Sequence, residues 1–237
     1  MIDPDSRERA ALELLDAWPW ELGGVVIGGY AVCAYGPPRY SSDLDIVIPF
    51  RGAVQTRGWL GNRGFQLEKH SIPNPQNYEG QVERFQSEEV TLDLLAGAVR
   101  DRDAQVDIPA GWVADRSRAV RLKTVSAGTR VSIPIARPEA LWALKLQAGR
   151  GSDLSDLFAI AEEPLNTDEV AREFRELRSE SLIRKLRSVR VKLEDPQLYA
   201  DALSRRELGR PSDPTNRGKW ARFIAQVDRI LIPALSE

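Results

Sequence analysis

The chain has 237 residues, enough for one larger domain or two small ones built around a real core. Hydrophobic residues make up 42% and charged residues 29%, a globular composition, and 33 basic against 35 acidic side chains leave a net charge of −2 that singles out no partner. One histidine, His70, and one cysteine, Cys33, exclude a zinc finger, a cysteine-rich metal site and a disulfide within the chain. Any nucleophile–histidine system would depend on His70 alone. No apolar stretch approaches the roughly 20 residues that span a bilayer. The start MIDPDSRERA is polar and acidic, so the expected compartment is the cytoplasm, with no membrane partner. Chemistry is therefore expected on carboxylates, lysine and arginine.

Asp5-Ser6 reads as the N-cap of an amphipathic helix that runs to about Trp18. Val25-Val26-Ile27 reads as a short buried strand opening into Gly28-Gly29, and Tyr30 to Tyr35 as a helical turn or two stopped by Gly36-Pro37-Pro38. Leu44, Ile46 and Ile48 alternate with Asp43, Asp45 and Val47, a strand signal ending at Pro49. Further strands are expected over 65–68, 81–85 and 90–95, and a hairpin over 120–135 with Ser126-Ala127-Gly128 as its turn. From Arg137-Pro138 the pattern becomes helical, with cap signals at Pro138-Glu139, Ser152-Asp153 and Thr167-Asp168. The expected layout is an α+β front, residues 1–136, followed by a helical region, residues 137–237. His70 reads as a polar loop residue and Cys33 as a small core hydrophobe.

Asp43-Leu44-Asp45 carries the most chemistry. On a strand both aspartates share one face while Leu44 points the other way, into the core. Two like charges side by side repel unless a cation lies between them. Mg²⁺ takes hard oxygen ligands at about 2.0–2.1 Å and suits two such carboxylates plus phosphate oxygens. The plain alternative is a solvent-facing pair at a strand start. The Gly28-Gly29 turn between strand and helix lets backbone N–H groups approach a phosphate. Asp93, in the apolar run Thr91-Leu92-Asp93-Leu94-Leu95, needs a partner; it is expected as a third metal ligand, with an arginine ion pair as the alternative.

Gly28-Gly29 followed at thirteen residues by Asp43-Leu44-Asp45-Ile46 resembles the signature of the DNA polymerase beta-like nucleotidyltransferase superfamily. The fuller string IGGYAVCAYGPPRYSSDLDIVI is similar to the AbiEii-like branch, found among the toxins of toxin–antitoxin systems. Arg39 matches that branch's arginine ahead of the aspartates, and Ser42 stands where a threonine is usual. PEALWALKL at 138–146 is similar to the family's lysine helix, and Asp153-Leu154-Ser155-Asp156-Leu157 to its DLxDL segment, so the resemblance covers residues 27–157. Many superfamily members carry serine as the second residue of the turn; Gly29 has no hydroxyl.

The resemblance implies an α+β fold with a nucleotidyltransferase-like mixed sheet flanked by helices, and a helical region lending Lys145 and the DLxDL segment to the site. It implies transfer of a nucleotidyl group from a nucleoside triphosphate to a hydroxyl, with release of pyrophosphate. Asp43, Asp45 and Asp93 would hold Mg²⁺ or Mn²⁺. Gly28, Gly29, Arg39 and Ser42 would bind the nucleotide, Lys145 would neutralise the triphosphate, and Asp156 is favoured as the functional acid of the DLxDL segment, with Asp153 left open beside it. Read without the resemblance, Lys145 either snorkels to water or meets a phosphate or carboxylate, and the two aspartates suit a helix's first turn.

A toxin acting on tRNA or another RNA, with a cognate antitoxin as partner, is the implied role. A small-molecule (antibiotic) nucleotidyltransferase, a minimal-nucleotidyltransferase antitoxin modifying a protein, and a non-catalytic binding module stay open beside it. Residues 172–222 hold 14 Lys and Arg against 8 Asp and Glu, a local net of +6. That run, with Arg184, Lys185 and Arg187 near its centre, is either an RNA-binding surface or a solvated helical face.

Overall fold

The structure, a computed structural model, describes residues 3–71, 80–101, 103–122, 124–125, 132–205, 211 and 213–236. In chain order these form α1 (Pro4–Asp16), β1 (Val25–Ile27), α2 (Gly28–Tyr35), β2 (Leu44–Ile48), α3 (Phe50–Gly61), β3 (Gln66–Ser71), β4 (Gln81–Gln86) and β5 (Thr91–Ala96). They continue with β6 (Ala98–Asp101), β7 (Val106–Pro109), α4 (Ala110–Asp115), β8 (Ser117–Arg121) and β9 (Ser132–Ala136). Six helices follow: α5 (Pro138–Ala148), α6 (Gly151–Ala159), α7 (Thr167–Glu176), α8 (Glu180–Lys192), α9 (Pro196–Arg205) and α10 (Pro214–Leu235). The chain divides into two compact units, Met1–Arg100 with Asp107–Arg137, and Asp101–Val106 with Pro138–Glu237.

The first unit is built on a mixed sheet of order β3-β4-β5-β2-β1-β9-β8. Strands β2 and β5 run parallel, as do β1 and β9; the other neighbours are antiparallel. Period-two alternation assigns the faces. Leu44, Ile46 and Ile48 of β2 and Leu92, Leu94 and Ala96 of β5 are wholly buried on one side, while Asp45, Thr91 and Asp93 stand half-buried on the other. Each fully buried large aliphatic contributes about 1.5–3 kcal/mol, so a one-residue slip that exposed this row would be strongly disfavoured. Glu83 of β4 lies on the buried face, where Arg57 of α3 pairs with it at 2.6 Å and reaches Gln81 at 2.9 Å.

The α+β class and the mixed sheet flanked by helices are as expected, and several local details differ. The cap of α1 is Asp3, whose carboxylate accepts the Ser6 N–H at 3.1 Å, and the helix stops at Asp16, three residues ahead of Pro19. Helix α2 starts at Gly28, not Tyr30. The backbone of His70 belongs to β3 rather than to a loop. Strands β8 and β9 pair antiparallel, while the expected turn Ser126-Ala127-Gly128 lies outside the described residues. Helix α3 and the β6–β7 hairpin were not expected. Three glycines, Gly52, Gly58 and Gly61, dilute the helical signal of α3.

The second unit is helical. Helix α5 is apolar on nearly every side and buried along its whole length, with α6, α7 and α8 packed on it. Phe158 of α6, Tyr199 of α9 and Trp220 and Phe223 of α10 stack edge-on and tilted, with ring centroids 5.1 to 6.4 Å apart. The hairpin tip Asp101–Val106 is held by this unit's side chains: Ser181 donates to the Ala104 carbonyl at 2.6 Å, and Gln147 to that of Val106 at 2.6 Å. Among the described residues, no helix is long and apolar enough to cross a membrane.

Candidate nucleotide and metal site

The expected residues fall in both units: Gly28, Gly29, Arg39, Ser42, Asp43, Asp45 and Asp93 in the first, Lys145, Asp153, Asp156, Arg184, Lys185 and Arg187 in the second.

In the first unit, strand pairing sets the arrangement. Ile27 of β1 opposes Asp45 of β2, Asp45 opposes Asp93 of β5, and Asp93 opposes Arg84 of β4. Opposed residues share a sheet face, so Asp45, Asp93 and Arg84 form one row. Asp43 precedes β2 by one residue, and its carboxylate accepts the Ser42 hydroxyl at 3.1 Å.

The glycine turn is fitted to this row. Gly28 takes a φ of +67°, a left-handed conformation that side chains resist. A methyl group there would also lie 1.9 Å from Oδ2 of Asp45. A methyl group on Gly29 would lie 2.3 Å from the Ser41 hydroxyl and 3.0 Å from Nη2 of Arg39. Backbone N–H groups at the start of α2 have no side-chain cap, so the helix opens beside a guanidinium and a hydroxyl. This is an arrangement suited to phosphate. Arg39 also donates to the Tyr40 carbonyl at 3.0 Å, and the Tyr40 hydroxyl donates to Asp5 of α1. That bond, with smaller effects of partial desolvation and neighbouring acids, pushes the Tyr40 phenol up to about 12. Tyr30 of α2 is raised too, first by burial and then by Glu8, with Cys33 and Asp43 adding to it.

Asp93 departs from its expected role. Arg84 grips both of its oxygens, Nε to Oδ1 at 2.7 Å and Nη2 to Oδ2 at 2.6 Å. The bonds to Asp93, joined by the charges of Asp43 and Glu68, hold the Arg84 guanidinium above its ordinary range against partial desolvation. The ion-pair alternative for Asp93 is the one observed. Among the described residues, no three His, Cys, Asp or Glu side chains gather closely enough to hold a metal ion. In this structure Asp93 is an arginine-bound carboxylate. Asp43 and Asp45 still fit Mg²⁺, which is commonly held by one or two carboxylates with phosphate oxygens and water completing its shell.

The second unit gathers Lys145, Asp153 and Asp156 where α5 turns into α6. The Lys145 ammonium lies 3.1 Å from Asp153 Oδ1 and 2.7 Å from Asp156 Oδ2, with all three side chains at most 10% exposed. Asp153 also accepts the Arg150 backbone N–H at 3.3 Å and its guanidinium Nε at 2.6 Å. Arg150, not Ser152, is the N-cap of α6. Of the partners open to Lys145, the structure shows carboxylates, and it places both aspartates on that lysine.

On α8, Arg184 and Arg187 are exposed. Lys185 is 11% exposed and reaches Asp103 at 2.9 Å and Asp101 at 3.9 Å, so it ties the hairpin tip to α8. This separates it from its two exposed neighbours.

Sequence reasoning missed Arg84, Ser41 and Arg150. The signal for Arg84 was an arginine at an alternating position of β4, opposite a half-buried acid whose register could not be read.

No protein-family model matches the chain, and no curated protein does. Among solved structures, the chain is similar to the nucleotidyltransferase toxin MenT4 from Mycobacterium tuberculosis, at 14% identity over 95% of this chain and 84% of that one, with a TM-score of 0.47. It is similar to a candidate nucleotidyltransferase from Thermotoga maritima at 17% identity over 64% and 89% of the two chains, TM-score 0.44. A third, a candidate nucleotidyltransferase from H. pylori, shares 18% identity over 97% and 93%, TM-score 0.38.

Proposed function

We propose that the protein is a nucleotidyltransferase that moves a nucleotidyl group from a nucleoside triphosphate to a hydroxyl. The observation that carries this reading is the fit of Gly28 against the Asp45 carboxylate, which joins a phosphate-cradling turn to a carboxylate strand. The N–H groups opening α2, the Arg39 guanidinium and the Ser41 hydroxyl would hold the β- and γ-phosphates. Asp43 and Asp45 would hold Mg²⁺ or Mn²⁺, which when bound supplies Lewis-acid stabilisation of charge on the α-phosphate. The acceptor oxygen forms a bond to the α-phosphorus as the bond from that phosphorus to the bridging oxygen breaks. Pyrophosphate leaves, and the hydroxyl proton passes to a carboxylate of the pair.

The acceptor in this proposal is RNA, and the role is that of a toxin acting on tRNA and restrained by an antitoxin. The resemblance of residues 27–157 to AbiEii-like proteins supports the role, and the +6 run over 172–222 supports the acceptor. Incubation with each α-labelled nucleoside triphosphate, Mg²⁺ and total RNA should give ribonuclease-sensitive label, lost in Asp45→Asn. Reversing Arg184 and Arg187 to glutamate should flatten the salt dependence of RNA labelling. Label on a small molecule or a protein would move the acceptor; no label on any acceptor would overturn the reading.

A further inference from the structure

Asp93 is neutralised by a neighbour that no change of pH in the working range can discharge, since a guanidinium stays protonated. The pairing follows from strand register: Arg84 and Asp45 oppose Asp93 from its two sides, on β4 and β2. Arg84 meets the carboxylate side-on with two parallel bonds, at 2.7 and 2.6 Å. A forked contact of this kind is stronger and more directional than a lysine's would be. Asp93 is 16% exposed, and its guanidinium partner is 41% exposed. The row thus runs across the sheet as two adjacent negative groups, Asp45 and Asp93, closed by one positive group, Arg84.

We propose that Arg84 is a built-in cation that stands in for a second metal ion, neutralising Asp93 and confining divalent-metal binding to one ion at Asp43 and Asp45. The inference rests on the nucleotidyltransferase reading, which supplies the metal. A second dication brought to Asp93 would face the like charge of the guanidinium already bound there. Removing Arg84 alone would leave three carboxylates, Asp43, Asp45 and Asp93, with one fewer positive charge among them. Removing Arg84 and Asp93 together would leave the Asp43–Asp45 pair as it is.

The test is a titration of the full chain with Mn²⁺ alone, read by electron paramagnetic resonance and checked by calorimetry, with folding followed by melting temperature. Wild type should bind one ion, and Asp43→Asn should lose it. Arg84→Gln should bind a second ion or bind Mn²⁺ about tenfold more tightly. Arg84→Lys, which keeps the charge, should bind one ion. The double variant Arg84→Gln/Asp93→Asn should also bind one ion, at wild-type affinity. Two ions in wild type, an unchanged Arg84→Gln titration, or weakened binding in the double variant would overturn the inference while leaving the transferase reading in place. Mn²⁺ binding untouched by Asp43→Asn would overturn the metal reading itself, and this inference with it.

Discussion

Gly28 and Asp45 fit one another to within a hydrogen atom: a methyl group on the glycine would lie 1.9 Å from the aspartate's Oδ2. The turn that opens α2 and the strand that carries the carboxylates therefore cannot vary independently. Gly28→Ala should displace Asp45 and strain a backbone held at φ +67°, at a cost of about 1–2 kcal/mol for the left-handed conformation alone. Transfer should fall about 100-fold, because small misplacements of reacting groups are expensive. Activity and melting temperature measured together check this; an alanine variant with wild-type rate would show that the fit has no bearing on the site.

Ser41 supplies a hydroxyl where a side chain at position 29 would otherwise reach, 2.3 Å from that side chain's first carbon. Ser41→Ala should weaken triphosphate binding about tenfold, the order of one hydrogen bond to a charged group, with little change in stability. Gly29→Ser should not rescue it, because its first carbon would lie 3.0 Å from Nη2 of Arg39 and push aside the guanidinium that faces the same phosphates. Nucleotide affinities of the single and double variants distinguish these outcomes.

Lys145 holds two buried carboxylates together, and its removal leaves both without that charge. Lys145→Ala should destabilise the protein by about 3 kcal/mol or more. That corresponds to a fall in melting temperature of roughly 6 °C or more. Lys145→Met combined with Asp153→Asn and Asp156→Asn should recover part of the loss, since the cost lies in unpaired buried charge. A melting temperature unchanged in Lys145→Ala would return the lysine to a ligand-facing role.

Tyr40 pins the loop that carries Arg39, Ser41 and Asp43 to α1 through Asp5. Its phenol, raised to about 12 chiefly by that bond, should titrate well above the ordinary tyrosine value. The sign follows from linkage: the neutral phenol is the bonded form, so the contribution is complete below the unfolded value near 10 and is lost as pH rises toward 12. Ultraviolet titration should show one phenol moving back toward 10 in Asp5→Asn. Tyr40→Phe should lower transfer several-fold by loosening the loop, and an unaltered rate would contradict that.

Strand alternation made β2 and β5 legible, since Leu44 and Ile46 could face only a core and Asp43 and Asp45 only its opposite. The Gly28-Gly29 pair was legible as a break between strand and helix but not as the first turn of α2, because most such glycine pairs are plain turns. Partnerships across the fold were not legible. Arg84 meets Asp93 through a register set by the whole sheet, and Ser41 reaches Gly29 through a loop whose path no local periodicity encodes. Lys145 was read by its helix face, yet its partners arrive from the following helix, after a turn at Gly149 and Arg150. In α8, Arg184, Lys185 and Arg187 look alike in sequence, and only the hairpin tip at Asp101 and Asp103 separates the lysine from the other two.

Counting products tests transfer directly. Purified protein, Mg²⁺, RNA and an α-labelled nucleoside triphosphate should yield pyrophosphate and RNA-bound label in equal amounts, and Asp43→Asn and Asp45→Asn should yield neither while still folded. Pyrophosphate without bound label would rule out transfer to RNA, and undiminished transfer in either variant would rule out a catalytic role for the Asp43–Asp45 pair.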